Sequence, residues 1–330
     1  MDVVTKNFWK NKNVFITGCT GLLGSWITKR LVESEANVIG LVRDNVPKSY
    51  FHLSGTDKKV ILVRGEIENY PLLERIINEY EIDFIFHLAA QTIVSIANRN
   101  PVSTFKSNIE GTWNLLEACR RTHREKKIIV ASSDKAYGTQ MGLPYDETTP
   151  LEGRHPYDVS KSCADLLCRC YYETYDVQVC VTRCGNFFGG GDLNFNRIVP
   201  GTIKSLIENQ RPLIRSDGTY IRDYFYIKDG VDSYFTLAEA MENKKIVGEA
   251  FNFSTETPVK VLDLVNKIIK IYGSDTTPLI LNEVTNEITS QYLSAKKAHD
   301  LLSWTPHYSL EEGLKETIDW YKHFVENTRF

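Results

Sequence analysis

Short apolar runs alternate with helix-spaced segments from residue 13 onward. Val14-Phe15-Ile16-Thr17 reads as a strand, and similar runs recur at 38–42, 60–63, 84–88, 128–131 and 179–182. Each is nearly continuous in apolar residues, as expected for a strand covered on both faces. Between them the apolar positions follow helical spacing, which predicts helices over 25–33, 70–79, 104–121 and 156–175. Alternating strands and helices predict an α/β fold with a doubly wound parallel Rossmann sheet, whose ligands sit at the carboxyl ends of the strands. After residue 185 the alternation stops. Gly189-Gly190-Gly191 marks a loop, 198–209, 259–272 and 310–327 have helical spacing, and 220–227 is short and rich in aromatics. The expected division is a Rossmann domain over 1–185 plus about 226–255. A smaller α/β substrate-binding lid is expected over about 186–225 plus 256–330.

Composition narrows the partners. A formal net charge of -3 supplies no basic field to gather nucleic acid or anionic lipid. No apolar run approaches the ~18 residues of a membrane span. The first ten residues carry charge where a signal peptide is apolar, so a cytoplasmic protein is expected. Seven cysteines include no Cys-x-x-Cys pair, so reduced thiols and no metal site are expected.

Gly18-Cys19-Thr20-Gly21-Leu22-Leu23-Gly24 follows the first strand and opens the first helix. The first glycine allows a tight turn, the second a close backbone approach to pyrophosphate, and the third close packing of helix on strand. The free N–H groups of the helix start then face the anion. This predicts a dinucleotide on Gly18, Thr20, Gly21, Leu22, Leu23 and Gly24. At the end of the second strand, an acidic residue would select NAD and an arginine NADP. Arg43 and Asp44 stand there together, so NAD is expected and NADP stays open. Glu66, with Ile67, follows the third strand and is placed to reach the adenine amine.

A second constellation lies at the fifth strand. Ser132-Ser133-Asp134-Lys135 follows it, and Tyr157-Asp158-Val159-Ser160-Lys161 opens the next long helix. Tyr157 and Lys161 are one helical turn apart. An ammonium beside a phenol lowers the phenol's pKa, so that tyrosinate can take an alcohol proton while hydride leaves for nicotinamide. Ser133 is placed to bond the same hydroxyl. Together the hydroxyl, carboxyl, phenol and two amines can oxidise an alcohol and expel water from a neighbouring carbon. Tyr224 and Lys228 repeat the four-residue spacing inside the aromatic run, where strand-like alternation favours a structural role.

The glycine turn, His87-Leu88-Ala89-Ala90-Gln91, Asn108, residues 132–138, Tyr157 to Lys161, Arg183-Cys184-Gly185-Asn186, Arg222-Asp223-Tyr224 and Trp304-Thr305-Pro306 resemble the extended short-chain dehydrogenase/reductases that act on nucleotide sugars. The resemblance spans nearly the whole chain and is strongest to the sugar 4,6-dehydratases, which carry an acidic motif where Ser133-Asp134-Lys135 stands. The Asp-Lys pair and Phe8-Trp9-Lys10-Asn11-Lys12 resemble CDP-glucose 4,6-dehydratases, and Val42-Arg43 resembles GDP-mannose 4,6-dehydratases.

That resemblance implies oxidation at C4, elimination across C5 and C6, and return of hydride to C6. It implies Asp134 as the acid for the departing hydroxyl and Lys135 as the C5 base, with Ser133, Tyr157 and Lys161 serving the oxidation. It adds Leu88, Ala89, Ala90, Gln91 and Asn108 to the cofactor site. It places Gln91, Asn186, Asn196, Arg197 and Arg222 against the sugar nucleotide, and implies a homodimer through helices 104–121 and 156–175. A simple Asp134–Lys135 ion pair, a 4-epimerase and a non-catalytic dinucleotide sensor are the competing readings.

Overall fold

The computed structural model describes residues 7–122, 124–283 and 288–328. Residues 1–6 of the charged N-terminal stretch, and 284–287 and 329–330 of the expected lid, lie outside the described residues.

Strands β1 (Asn13–Thr17), β2 (Asn37–Val42), β3 (Ile61–Arg64), β4 (Phe84–His87), β5 (Lys127–Ala131), β6 (Val179–Cys184) and β11 (Ala250–Phe253) form one parallel sheet. Their order is β11-β6-β5-β4-β1-β2-β3, as expected for a doubly wound fold. Alternate residues feed opposite faces. Val14, Ile16, Phe84, Phe86, Ile129 and Cys180 enter one core cluster. Phe15, Ile85, Ile128, Val130, Val179 and Val181 enter the other. Burial on both sides explains why these strands read as continuous apolar runs.

Among the described residues, the α-helices of seven residues or more are α1 (Leu22–Glu33), α2 (Tyr70–Glu79), α3 (Gly111–Arg120), α4 (Pro156–Tyr175), α5 (Ile198–Ile207), α6 (Ile227–Ala240), α7 (Val261–Tyr272), α8 (Lys296–Leu302) and α9 (Leu310–Thr328). α2 shows the local logic. Asn69 caps its start by accepting from the Leu72 N–H at 3.1 Å, and Leu73, Ile76 and Ile77 form its buried stripe. The single helix expected over 104–121 is interrupted. A short helix, Pro101–Phe105, runs into a π-helical turn at Lys106–Glu110 before α3 begins. The widened turn carries Asn108, whose side chain bonds elsewhere, as shown below.

Short strands β7 (Asn186–Phe188), β8 (Leu213–Ile214), β9 (Ile221–Arg222), β10 (Tyr224–Tyr226), β12 (Val259–Lys260), β13 (Leu279–Ile280) and β14 (Ser290–Gln291) sit over the carboxyl edge. They pair as β10-β7, β12-β9-β14 and β13-β8. A third core cluster joins Val199 and Ile203 of α5, Leu264 and Ile268 of α7, and Leu314 and Ile318 of α9. Within the expected lid range, Ala295, Ala298 and Trp304 pack instead into the first cluster of the large sheet, with Phe251 and Phe253. The second Tyr-x-x-x-Lys match is structural: Tyr224 is buried in the third cluster, and Lys228 pairs with Glu316. All seven cysteines are unpaired, and no group of three metal-binding side chains occurs among the described residues. No described helix is long and apolar enough to cross a membrane.

Two buried polar devices tie the strand ends together. Thr112 Oγ1 donates to Asn108 O at 2.7 Å, so it accepts from His87 Nε2 at 3.1 Å. His87 Nδ1 then accepts from Thr17 Oγ1 at 2.8 Å, and Thr17 Oγ1 itself accepts from the Leu88 and Ala89 N–H groups at 3.2 Å. The network therefore assigns a neutral, Nε2-protonated histidine. Burial, with Lys161 next in importance, holds its pKa down at about 3. On β6, Arg183 grips Asp165 of α4 with two bonds of 2.7 and 2.8 Å and donates to Tyr137 Oη at 2.9 Å.

Both devices are testable. The unfolded chain binds more protons than the folded one between pH 6.5 and about 3, so His87 withdraws stability as pH falls through that window. Urea unfolding should show about 2 kcal/mol lost through this group between pH 6.5 and 5, and a flatter acid slope in His87→Gln. Asp165→Ala strands the Arg183 guanidinium and should cost ~3–5 kcal/mol in the same assay at pH 7.

Candidate functional site

A cleft of about 350 Å³ runs along the carboxyl edge of the sheet. Its floor is the glycine turn. Gly18 has φ +79°, and a Cβ there would sit 2.8 Å from the Ala89 nitrogen. A Cβ on Gly24 would sit 2.1 Å from Gly18 O. The turn is thus a cradle that side chains would fill, and it delivers the start of α1 to the cleft. Gly18, Thr20, Gly21, Leu22, Leu23 and Gly24 all line the cleft. So do Arg43, Asp44, Ile67, Leu88, Ala89, Ala90, Tyr157 and Lys161. These residues fit a dinucleotide: a backbone anion cradle at one end, an acidic residue for ribose, and a phenol and amine at the other.

Three expected cofactor residues are placed differently. Glu66 is exposed and off the cleft lining, because the chain turns there and presents Gly65, Ile67 and Glu68 instead. Glu68 accepts from Ser107 Oγ at 2.7 Å, while its Oε2 is buried without a partner. Gln91 and Asn108 do not line the cleft. Asn108 Oδ1 accepts from the Gln91 N–H at 2.7 Å, and its Nδ2 donates to Gln91 O at 3.1 Å and to Ser160 Oγ at 2.9 Å. Asn108 therefore clamps the loop after β4 to α4. The Gln91 side chain accepts from the Ile93 N–H at 3.1 Å, a bond within its own loop.

The end of β5 meets the start of α4. Lys161 is buried, and its Nζ donates to Ala131 O at 2.8 Å. Burial brings its pKa down to about 8. Tyr157 is half-buried one turn earlier, close to Ser133. Lys161 Nζ lies 6.0 Å from the Tyr157 ring centre, and its hydrogen bond goes to the strand carbonyl. The expected lowering of the phenol by this amine is accordingly reversed in the chain alone. Burial, reinforced by Asp134 and only partly opposed by the Ser133 hydroxyl, pushes Tyr157 up to about 12.

Ser133 caps a short turn, Asp134–Tyr137, by accepting from the Lys135 N–H at 3.2 Å. Its hydroxyl donates to Asp134 Oδ1 at 2.8 Å. The structure thus brings Tyr157 beside the hydrogen-bonded Ser133–Asp134 pair. Asp134 is 4% exposed, so the carboxyl faces protein rather than bulk water. Lys135 is half-buried. Its Nζ donates to Gln291 Oε1 at 2.6 Å. Ser132, Tyr157 and Lys161 line the cleft, while Ser133, Asp134 and Lys135 are not part of its lining.

A second cavity of about 330 Å³ adjoins the first, sharing Phe187 and Arg197 with it. Asn186, Asn196, Arg197 and Arg222 line it. Arg197 starts α5 and reaches Asp192 at 3.2 Å. Asn196 Oδ1 accepts from Arg215 Nη2 at 3.0 Å. Arg222 is buried and donates to the carbonyls of Ile221 and Thr289 at 2.9 and 3.2 Å, and to that of Ile288. Asp223, next to it, is held by Ser254 and Thr255, and burial raises its pKa to about 6. Sequence reasoning did not single out Glu68 or Gln291. The first is one residue away from a plausible neighbour. The second meets the site across 156 residues and leaves no local signal.

The comparisons agree with this geometry. The family model for GDP-mannose 4,6 dehydratase matches residues 15–317. CDP-glucose 4,6-dehydratase of Salmonella typhimurium is 31% identical over 98% of this chain and 94% of its own. The solved dTDP-glucose 4,6-dehydratase of Bacillus anthracis, in complex with NAD, superposes with a TM-score of 0.84 at 26% identity, covering 96% of this chain and 98% of that one. UDP-glucose 4-epimerase of Thermotoga maritima, with UDP-glucose, gives 0.87 at 27% identity, covering 95% and 99%. Backbone likeness alone therefore spans dehydratases and epimerases, while the sequence match decides the grouping: this chain belongs to the GDP-mannose 4,6 dehydratase family.

Proposed function

We propose that the chain is an NAD-dependent nucleotide-sugar 4,6-dehydratase, converting an NDP-hexose to the NDP-4-keto-6-deoxyhexose and water. The observation that carries this reading is the buried Asp134 carboxyl, hydrogen-bonded to Ser133 and close to the Tyr157 phenol. Alcohol oxidation alone needs no such carboxyl. Elimination of a hydroxyl does, because hydroxide is a poor leaving group until it is protonated.

The glycine turn and the start of α1 would hold the pyrophosphate, and Asp44 the adenosine ribose. Arg43 Nε donates to Asp44 at 2.6 Å, which occupies part of the guanidinium that a 2′-phosphate requires and supports NAD over NADP. When bound, the oxidised nicotinamide would supply a positive ring and a reversible hydride acceptor for C4 and C6. The chain's residues handle the protons. Tyr157 Oη takes the C4 hydroxyl proton, with Ser133 Oγ nearby. Ser133, bonded to Asp134, gives that proton a path toward the Asp134 carboxyl. Asp134 delivers it to the C6 oxygen, which leaves as water, and Lys135 Nζ removes the C5 proton that the C4 ketone has acidified and later restores it. The balance closes: the proton lost at C4 is the one gained by the leaving hydroxyl.

The adjoining cavity receives the sugar nucleotide, with the forked donors of Arg197 and Arg222 serving the diphosphate and Asn186 and Asn196 the polar edges. CDP-glucose and GDP-mannose are the favoured substrates, on the relative and the family matched above. The α3 and α4 surface exposes Trp113, Leu166 and Tyr175, which supports a homodimer through those helices. Leu116 is fully buried inside the monomer and does not contribute to that face.

Incubation with CDP-, GDP-, dTDP- and UDP-hexoses, followed by mass analysis, should give a product lighter by one water from at least one donor. An unchanged mass with an inverted sugar would instead make the chain an epimerase. In Asp134→Asn, transient reduction of the nicotinamide should survive while release of the dehydrated sugar falls by about 10²–10⁴-fold. Dehydration at the wild-type rate in that variant would remove Asp134 from the reaction.

A further inference from the structure

The turn that bears the acid and the base is gripped by one distant side chain. Gln291 is fully buried at the end of β14. Its Nε2 donates to the backbone carbonyl of Asp134 at 2.8 Å, and its Oε1 accepts from Lys135 Nζ at 2.6 Å. A single amide therefore holds the main chain of one residue of the pair and the side chain of the other. An amide suits this task because it presents one donor and one acceptor of fixed separation, and neither of them ionises.

The amide is itself immobilised from two sides. In the small sheet Gln291 stands opposite Arg222 of β9, and Arg222 donates to the carbonyls of Ile288 and Thr289 on the approach to β14. On the other side the Tyr145 N–H donates to Tyr292 O at 3.1 Å, and the Ser294 N–H donates to Tyr145 O at 2.9 Å. The strand bearing Gln291 is thus sewn to the wall of the sugar-nucleotide cavity and to the loop that follows the catalytic turn.

We propose that Gln291 is the positioning residue of the Asp134–Lys135 pair, aiming the lysine amine by a neutral acceptor and tying the pair to the strand that Arg222 holds. This rests on the dehydratase reading for its consequence, though not for its geometry. The acceptor that Gln291 offers is neutral, whereas a carboxylate in the same place would favour the ammonium form. Charged neighbours of the amine on the packed elements include Asp134 on its own turn and Asp158 on α4, which lies close enough to feel the lysine charge. The amide supplies direction without adding a further negative charge to that group.

Two variants separate positioning from mere support. Gln291→Met keeps length and removes both hydrogen bonds, and Gln291→Glu keeps the acceptor and adds charge. Trace acetic anhydride labelling of Lys135 against pH, read by mass spectrometry on the full chain, needs no substrate. The labelling midpoint should move upward by about one pH unit or more in Gln291→Glu and downward in Gln291→Met. On a donor that the wild type dehydrates, deuterium exchange at C5 should fall by about 10²-fold in Gln291→Met, with C4 oxidation changed far less. Identical labelling midpoints in all three chains would overturn the proposal, as would wild-type C5 exchange in Gln291→Met. A wild-type chain that dehydrates no donor removes the dehydratase reading, and the labelling midpoints then decide the role of Gln291 by themselves.

Discussion

The bond from Lys161 Nζ to the carbonyl of Ala131 fixes the distance between a helix and a strand end, and the site is assembled around that distance. The lysine is buried, so its charge needs an acceptor, and the last carbonyl of β5 is the one provided. With that bond made, α4 can present Tyr157 only to the segment that follows β5. A weaker bond at 3.4 Å, from Ser132 Oγ to Lys161 O, joins the same two elements a second time. The phenol then stands beside the Ser133–Asp134 pair although it comes from a separate element. The same burial drives the amine and the phenol in opposite directions on the pH scale, toward their neutral forms. On the proposed reading, such a phenol becomes a base only once a positive charge from outside the chain stands beside it.

Much of this was readable from the residues. Strands buried on two faces leave continuous apolar runs, so the six strands of the first half appear as Val, Ile and Phe clusters. The glycine turn was legible because its spacing reflects two collisions: Gly18 with the nitrogen of Ala89, and Gly24 with the carbonyl of Gly18. Tyr157 and Lys161 were legible because one helical turn is a local rule. What escaped depends on contacts far apart in sequence. Asn108 looked like a ligand, yet the wide turn at Lys106–Glu110 aims it at Gln91 and Ser160. Glu66 and Glu68 are two residues apart, and only the path of the chain after β3 decides that Glu68 lines the cleft. The expected direction of the Tyr157 shift failed for a related reason, since burial depends on the whole neighbourhood and not on the nearest charge.

The likeness to both a dehydratase and an epimerase at TM-scores of 0.84 and 0.87 locates the specificity problem. The scaffold forms two adjoining cavities, which meet at Phe187 and Arg197. On the proposed reading, the reaction that follows the first hydride transfer depends on a few side chains on the turn after β5. Here that turn is restrained from three directions: by Ser133 capping it, by Tyr137 bonding Arg183 and Asn252, and by Gln291 crossing from the small sheet. Such restraint suits an acid and a base that must reach adjacent carbons of one ring.

The placement of α9 has a consequence for how the molecule is born. Every strand of the large sheet has left the ribosome once Phe253 has emerged, so the cofactor half can collapse while synthesis continues. The third cluster cannot. Leu314, Ile318, Tyr321 and Phe324 belong to the final helix, and Trp320 of that helix closes over Gly190 so tightly that a Cβ there would meet it at 2.3 Å. Until that helix clears the exit tunnel, Phe188 and Tyr226 lack their cover, and the nascent chain offers chaperones a greasy surface beside an already folded neighbour.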